Sequence, residues 1–175
     1  MIEKKILIVV MIGFFSLAGY GCANKPMQAE FCPKVGFVNG IDRVTVFDES
    51  KSEDNPVILF SAQMRRLETS CKFDDNGVTV SAEFSLHSSL AKEQGATVVE
   101  ALYLVAALHP DGRILAKETF DLNIRFPAGE TRLSQDEAIA LFIPSSGGRD
   151  FRGYRILLGF QLSKSQIDYN RRLLD

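Results

Sequence analysis

Asp74-Asp75-Asn76-Gly77-Val78-Thr79-Val80-Ser81-Ala82-Glu83-Phe84-Ser85-Leu86 reads as a turn followed by a strand, and that reading decides the fold class. Val78, Val80, Ala82, Phe84 and Leu86 alternate with Thr79, Ser81, Glu83 and Ser85. A period of two sends one set to a buried face and the other to water. Asn76 and Gly77 tolerate the positive φ that a tight turn requires, so the stretch predicts a hairpin joining Pro56 to Phe73 with Val78 to Leu86.

Working outward, turn residues punctuate apolar runs along the chain: Asn39-Gly40, Asp48 to Pro56, His109-Pro110-Asp111-Gly112, Pro127-Ala128-Gly129 and Pro144 to Gly148. Such spacing predicts successive antiparallel strands. Asp111-Gly112 would join Thr97 to Leu108 with Arg113 to Phe120. Further strands are expected at Leu122 to Phe126, Ala138 to Ile143 and Tyr154 to Leu162, with short ones near Val35 and Val44. From Ser88 to Leu108 the apolar positions also fit a helix. The β-branched Thr97, Val98 and Val99 favour a loop to Ala96 and then a strand. The expected architecture is an antiparallel β-sandwich, Ig-like or related, of about seven to nine strands. Ser163 followed by Gln166 has the capping-box pattern, and Ile167 to Leu174 is apolar at helical spacing, which predicts a short C-terminal helix packed on the sandwich through Ile167 and Leu174.

The first residues specify an address. Lys4 and Lys5 precede an uncharged run from Ile6 to Ala18, then Gly19-Tyr20-Gly21 and Cys22. At ~1.5 Å per residue this run covers roughly 20 Å, short of the ~30 Å hydrocarbon core. Cleavage therefore fits better than a permanent span, and residues 1–21 read as a signal peptide. Gly19-Tyr20-Gly21-Cys22 resembles the lipobox of bacterial lipoproteins, with Gly19 standing where that family usually carries Leu. The resemblance implies an acylated, palmitate-bearing Cys22 and a tether over 22–30. Ordinary signal-peptidase cleavage after Gly21 or Ala23, or an uncleaved anchor, are the alternatives, and each leaves the domain outside the inner membrane.

Three cysteines in an oxidising compartment leave one odd thiol. With Cys22 acylated, Cys32 and Cys71 remain as one disulfide pair. Removing residues 1–21 subtracts two Lys and one Glu, taking the formal charge from −2 to −3. Neither a basic stretch with interleaved aromatics nor an acidic tail stands out, so nucleic acid is not an expected partner. The remaining 31–175 suffices for a single domain with a sizeable core.

Candidate chemistry is sparse. Asp74, Asn76, Gly77 and Glu83 fall at third, fifth, sixth and twelfth positions of an EF-hand-like loop, but Lys72 stands first, where a cation would repel calcium. His87 and His109 have no other histidine or cysteine at ligand spacing. A G-x-S-x-G elbow is missing, and Gly147-Gly148-Arg149 lacks the pattern of a phosphate-binding loop. Arg149, Arg152 and Arg155 read as a solvated loop and outgoing strand, with anion binding as the sharper alternative. No catalytic, metal or cofactor site is expected.

Cys32-Pro33, Ser70-Cys71 with Asp74-Asp75-Asn76-Gly77-Val78-Thr79-Val80, and Gly159-Phe160-Gln161-Leu162 continuing to Gln166, Tyr169, Asn170 and Arg171 together resemble small exported lipoproteins of alphaproteobacterial type, of unknown function. The resemblance spans most of 22–175. It implies an anchored all-β envelope protein and brings no catalytic residues.

The function expected from these readings is a non-catalytic envelope lipoprotein, structural or protein-interacting. It would be held to the membrane by its N-terminal lipid, facing the periplasm, with the outer membrane favoured over the inner. A periplasmic small-ligand carrier or enzyme with an inter-sheet pocket is the alternative.

Overall fold

A computed structural model of the chain describes residues 31–48, 57–92, 95–145 and 150–174. The signal peptide, the tether, Cys22 and Gly147-Gly148-Arg149 lie outside the described residues. Eight strands and one helix follow in order: β1 (Lys34–Phe37), β2 (Arg43–Phe47), β3 (Ile58–Phe73), β4 (Gly77–Leu90), β5 (Thr97–Leu108), β6 (Ile114–Phe126), β7 (Arg132–Pro144), β8 (Arg155–Phe160) and α1 (Lys164–Arg172). They form two four-stranded sheets, β1-β8-β5-β6 and β2-β3-β4-β7, packed as a sandwich. Because β2, β3 and β4 are consecutive neighbours in one sheet, the order is a relative of the immunoglobulin arrangement, which splits its third strand off to the other sheet. One pair departs from the antiparallel rule: β1 lies parallel to β8.

Alternation in β4 works as read. Val78, Val80, Ala82, Phe84 and Leu86 are at most 2 % exposed, and the strand continues inward with Ser88 and Leu90. Across the sandwich they meet Tyr103 and Val105 of β5, Leu122, Ile124 and Phe126 of β6, and Ile156, Leu158 and Phe160 of β8. Edge-to-face ring pairs lock the layers, with centroids 5.8 Å apart for Phe84–Tyr103 and 6.2 Å for Phe60–Phe126. Burying each such side chain contributes about 1.5–3 kcal/mol. These side chains form the core between the sheets.

Two strand boundaries differ from the sequence reading. The segments Arg113 to Phe120 and Leu122 to Phe126 are one strand, β6, in which Asp121 takes its turn on the outer face between inward Phe120 and Leu122. β7 starts six residues earlier than expected. Its inward positions include Gln135 and Glu137, which mask the apolar alternation, and Gln135 Nε2 donates to Glu137 Oε1 at 2.8 Å. Inward polar groups on an edge strand discourage pairing with another chain.

The first hairpin turns by a route other than positive φ. Asp74 Oδ1 accepts the backbone N–H groups of Asn76 (2.7 Å) and Gly77 (2.9 Å), and among the described residues those with positive φ are Gly40, Gly112, Gly129 and Arg66. Gly77 is required for a different reason: a Cβ there would collide with the Ile143 carbonyl of neighbouring β7. In the β5/β6 turn Gly112 does supply the left-handed residue, at φ 91°.

β3 contains a bulge that decides the geometry of its sheet. Arg65 pairs with Ser85 but Glu68 pairs with Glu83, so β3 carries one extra residue, with Arg66 at φ 49°. Side-chain parity inverts there: Phe60, Ala62 and Met64 face the core before the bulge, and Leu67, Cys71 and Phe73 do so after it. Were the same sequence paired in unbroken register past Arg65, with no bulge, Cys71 would point to solvent. Turned inward, it forms a disulfide with Cys32, Cα atoms 6.1 Å apart, which ties the entry of the domain to the second sheet. A structural disulfide is compatible with an oxidising, extracytoplasmic compartment.

Candidate functional site

The outer face of the β2-β3-β4-β7 sheet carries a surface cavity of about 570 Å³. Cross-strand pairing builds its floor. Arg43, Gln63, His87 and Ser134 stand in one row across β2, β3, β4 and β7. Thr45, Ser61, Ser89 and Arg132 form the next, and Arg65 with Ser85 stands on the row before the bulge. These are the polar halves of alternating strands, which is why the sequence makes them hydroxyls and cations.

One wall is α1, whose capping box forms as expected: Ser163 Oγ accepts from Gln166 N, and Gln166 Oε1 accepts from Ser163 N. The packing of the helix is a correction. Its buried residue is Asn170, 1 % exposed, rather than an Ile167–Leu174 stripe. Asn170 Nδ2 donates to the carbonyls of Gly40 (2.8 Å) and Arg43 (2.9 Å), and Gln166 Nε2 donates to the Thr45 carbonyl (2.8 Å). As an edge strand β2 has carbonyls to spare, and polar helix side chains take them up. Tyr169 packs edge-to-face on Phe47 at 4.8 Å, and Tyr169 with Leu173 lines the cavity.

Three arginines and one histidine line this groove, and among the described residues no carboxylate does. Arg65 Nε and Nη2 donate to Gln63 Oε1 at 3.1 and 2.7 Å, a neutral partner that leaves the guanidinium charge standing. Gln63 in turn donates to Asp42 Oδ2 at 3.0 Å, and Arg43 Nε lies 3.7 Å from Asp42 Oδ1. Ser61 and Ser89 hydroxyls hydrogen-bond each other at 2.9 Å.

The remaining sequence candidates fall elsewhere. Asp74 is occupied by its own turn, and Glu83 sits mid-strand opposite Glu68. His109 Nδ1 lies 2.9 Å from Asp111 Oδ2 beside the β5/β6 turn. Asp111 is held below the usual carboxylate range, first by the Arg113 backbone N–H and then by His109. Arg152 binds Asp150, whose carboxyl is lowered to about 2, and stacks over Phe31 at 5.3 Å. Arg152 and Arg155 therefore do not join the groove. Tyr103 and Glu137 make a second titratable cluster, at the β6/β7 side of the core. Burial, and then the Glu137 charge, raises the Tyr103 phenol above its ordinary value. The histidine that does reach a site is His87, and only strand pairing reveals its neighbours, because Arg43 and Ser134 lie far from it in sequence.

The groove and the chain's point of entry occupy opposite halves of the sandwich. Phe31 and Cys32 lie beside Phe151 and Cys71, near the 74–77 turn. Ser61 is ten residues up β3 from Cys71, about 30 Å at ~3.3 Å per residue. No protein-family profile matches the chain, and comparisons with curated proteins and with solved structures find no match.

Proposed function

We propose that this chain is an exported envelope lipoprotein, acylated at Cys22, whose sandwich is a non-catalytic structural or interaction module. The disulfide at the domain's entry supports an extracytoplasmic site of action. The groove supports a binding role, since it faces the half of the sandwich remote from the tether and stays clear of the membrane. Nine tether residues, 22–30, add up to roughly 30 Å of reach when extended. Intact mass of the protein from bacterial membranes tests the anchor. A diacylglyceryl mass lost in Cys22→Ala supports it, and an unlipidated species beginning near Ala23 refutes it.

Catalysis would need a hydroxyl, a base and an orienting group in hydrogen-bond contact. His87 stands across from Ser134 but shares no hydrogen bond with it, and Asp136 lies a row away on β7. Labelling by a fluorophosphonate that disappears in both Ser134→Ala and His87→Ala would overturn the non-catalytic reading.

The groove itself favours a second reading, a small-ligand carrier. Its volume falls within the ~300–1,000 Å³ of ligand pockets, and it opens on the outer face of a sheet rather than between the two.

A further inference from the structure

We infer that the groove on the outer face of the β2-β3-β4-β7 sheet is a binding site for a small anionic ligand carrying carboxylate or phosphate groups. This rests on the carrier reading above and specifies its ligand.

The argument is one of charge balance. The chain is acidic, with formal charge −2, yet Arg43, Arg65 and Arg132 converge on one cavity with His87 between them. Of the carboxylates facing it, Asp42 is engaged by Gln63 and lies at the margin beside Arg43. Asp136 stands in the row of Arg65 and Ser85, two strands across from Arg65, and neither carboxylate lines the cavity. Arg65 is fixed by an amide that cannot neutralise it, an arrangement that aims a guanidinium without satisfying its charge. Arg132 projects from an edge strand and no ion pair holds it among the described residues.

Arginine presents a rigid fork of donors matched to planar carboxylate and to phosphate oxygens. Ser61, Ser89 and Ser134 add hydroxyls on the same floor, suited to the polar body of such a molecule. Tyr169 and Leu173 close one side and limit length, which favours a compact ligand over an extended chain.

Calorimetric titration of the full chain with citrate, pyrophosphate and the neutral sugar trehalose tests the assignment. One of the two anions is expected to bind saturably below about 10 mM, trehalose is not, and added salt should weaken the binding. Arg132→Gln and Arg65→Gln should each weaken it by about tenfold or more, as should Ser89→Glu, which places a negative charge on the groove floor. Glu68→Gln, on the same sheet beyond the bulge, should leave it unchanged. Arg132 and Ser89 lie on the surface row, so these variants keep the fold, which circular dichroism would verify. No saturable binding by either anion, equal binding of trehalose, or binding indifferent to all three groove substitutions would overturn the inference. So would groove-dependent capture of an acidic polypeptide with neither anion binding. None of these outcomes depends on lipidation, so the Cys22 experiment and this one fail separately.

Discussion

One sheet, β2-β3-β4-β7, has two halves that share three strands and differ in almost everything else. On the far side of the bulge its outer face carries Arg43, Arg65, His87 and Arg132 among serines, bordered by β2 and roofed at one edge by α1. Toward the disulfide the sheet narrows to three strands and its outer face carries Glu68 opposite Glu83, with Ala138, Ala140 and a half-exposed Phe142. Past Arg66 the arginine-rich face gives way to a mixed one, on which Lys72 accompanies Glu68 and Glu83. What separates a groove from a bare face is the wall: β2 widens the sheet, and α1, pinned by Asn170 and Gln166, gives it depth.

The strongest way to break this contrast is to cut the tie between the domain's entry and the sheet. Deleting Arg66 would not do so: Leu67 would then follow Arg65 directly, alternation would run unbroken along β3, and Leu67, Cys71 and Phe73 would stay inward. Non-reducing peptide mapping of that deletion should still find Cys32 joined to Cys71. Losing the disulfide alone, by Cys71→Ala, should cost about 4 kcal/mol by the chain-entropy relation for a loop with separation 39, read from the denaturant midpoint.

Asn170→Ala tests the distal half. It strands two part-buried carbonyls and should cost about 1–3 kcal/mol, with hydrogen exchange rising in β2 and α1 but not in the 74–77 turn. On the proximal half, Glu83→Lys turns opposed like charges into a pair and should stabilise by about 0.2–1 kcal/mol, less at high salt.

The smallest expected effect is on acid stability. The Asp150 carboxyl is depressed from 3.8 to about 2, and those of Asp111 and Asp168 are lowered by the same kinds of partner. A depressed folded-state value contributes stability above the unfolded value and loses it as pH falls through the folded one. Melting temperature should therefore be unaffected by these groups above about pH 4 and decline from there toward pH 2. Asp150→Asn should flatten part of that decline. All three carboxylates are open to solvent, so screening keeps the effect small.

Legibility in the sequence followed periodicity. β4, β5 and the capped helix could be read because their alternation or cap motif is local. β6 reads as two segments in the sequence, on either side of Asp121, although that charged residue only occupies an outward position of one strand. Most of β7 was missed because Gln135 and Glu137 face inward. The anion groove left no local trace: its cations are single residues on three strands, each indistinguishable in sequence from an ordinary solvated position. The helix's attachment was misread for a similar reason, since apolar spacing pointed to Ile167 and Leu174 while the anchoring side chain is a polar Asn170.

By itself the sequence determined what short-range physics controls: the all-β class from period-two alternation, the Asp-rich and Gly-containing turns, and the helix start at Ser163; it gave the pairing of Cys32 with Cys71 only on the premise of an acylated Cys22. Only the tertiary structure decided which strands became neighbours, that one extra residue at Arg66 would invert the facing of half a strand, and that Arg43, Arg65, His87 and Arg132 would share a cavity. Strand order and register come from burying both inner faces at once, a condition on the whole chain that no single window of residues contains.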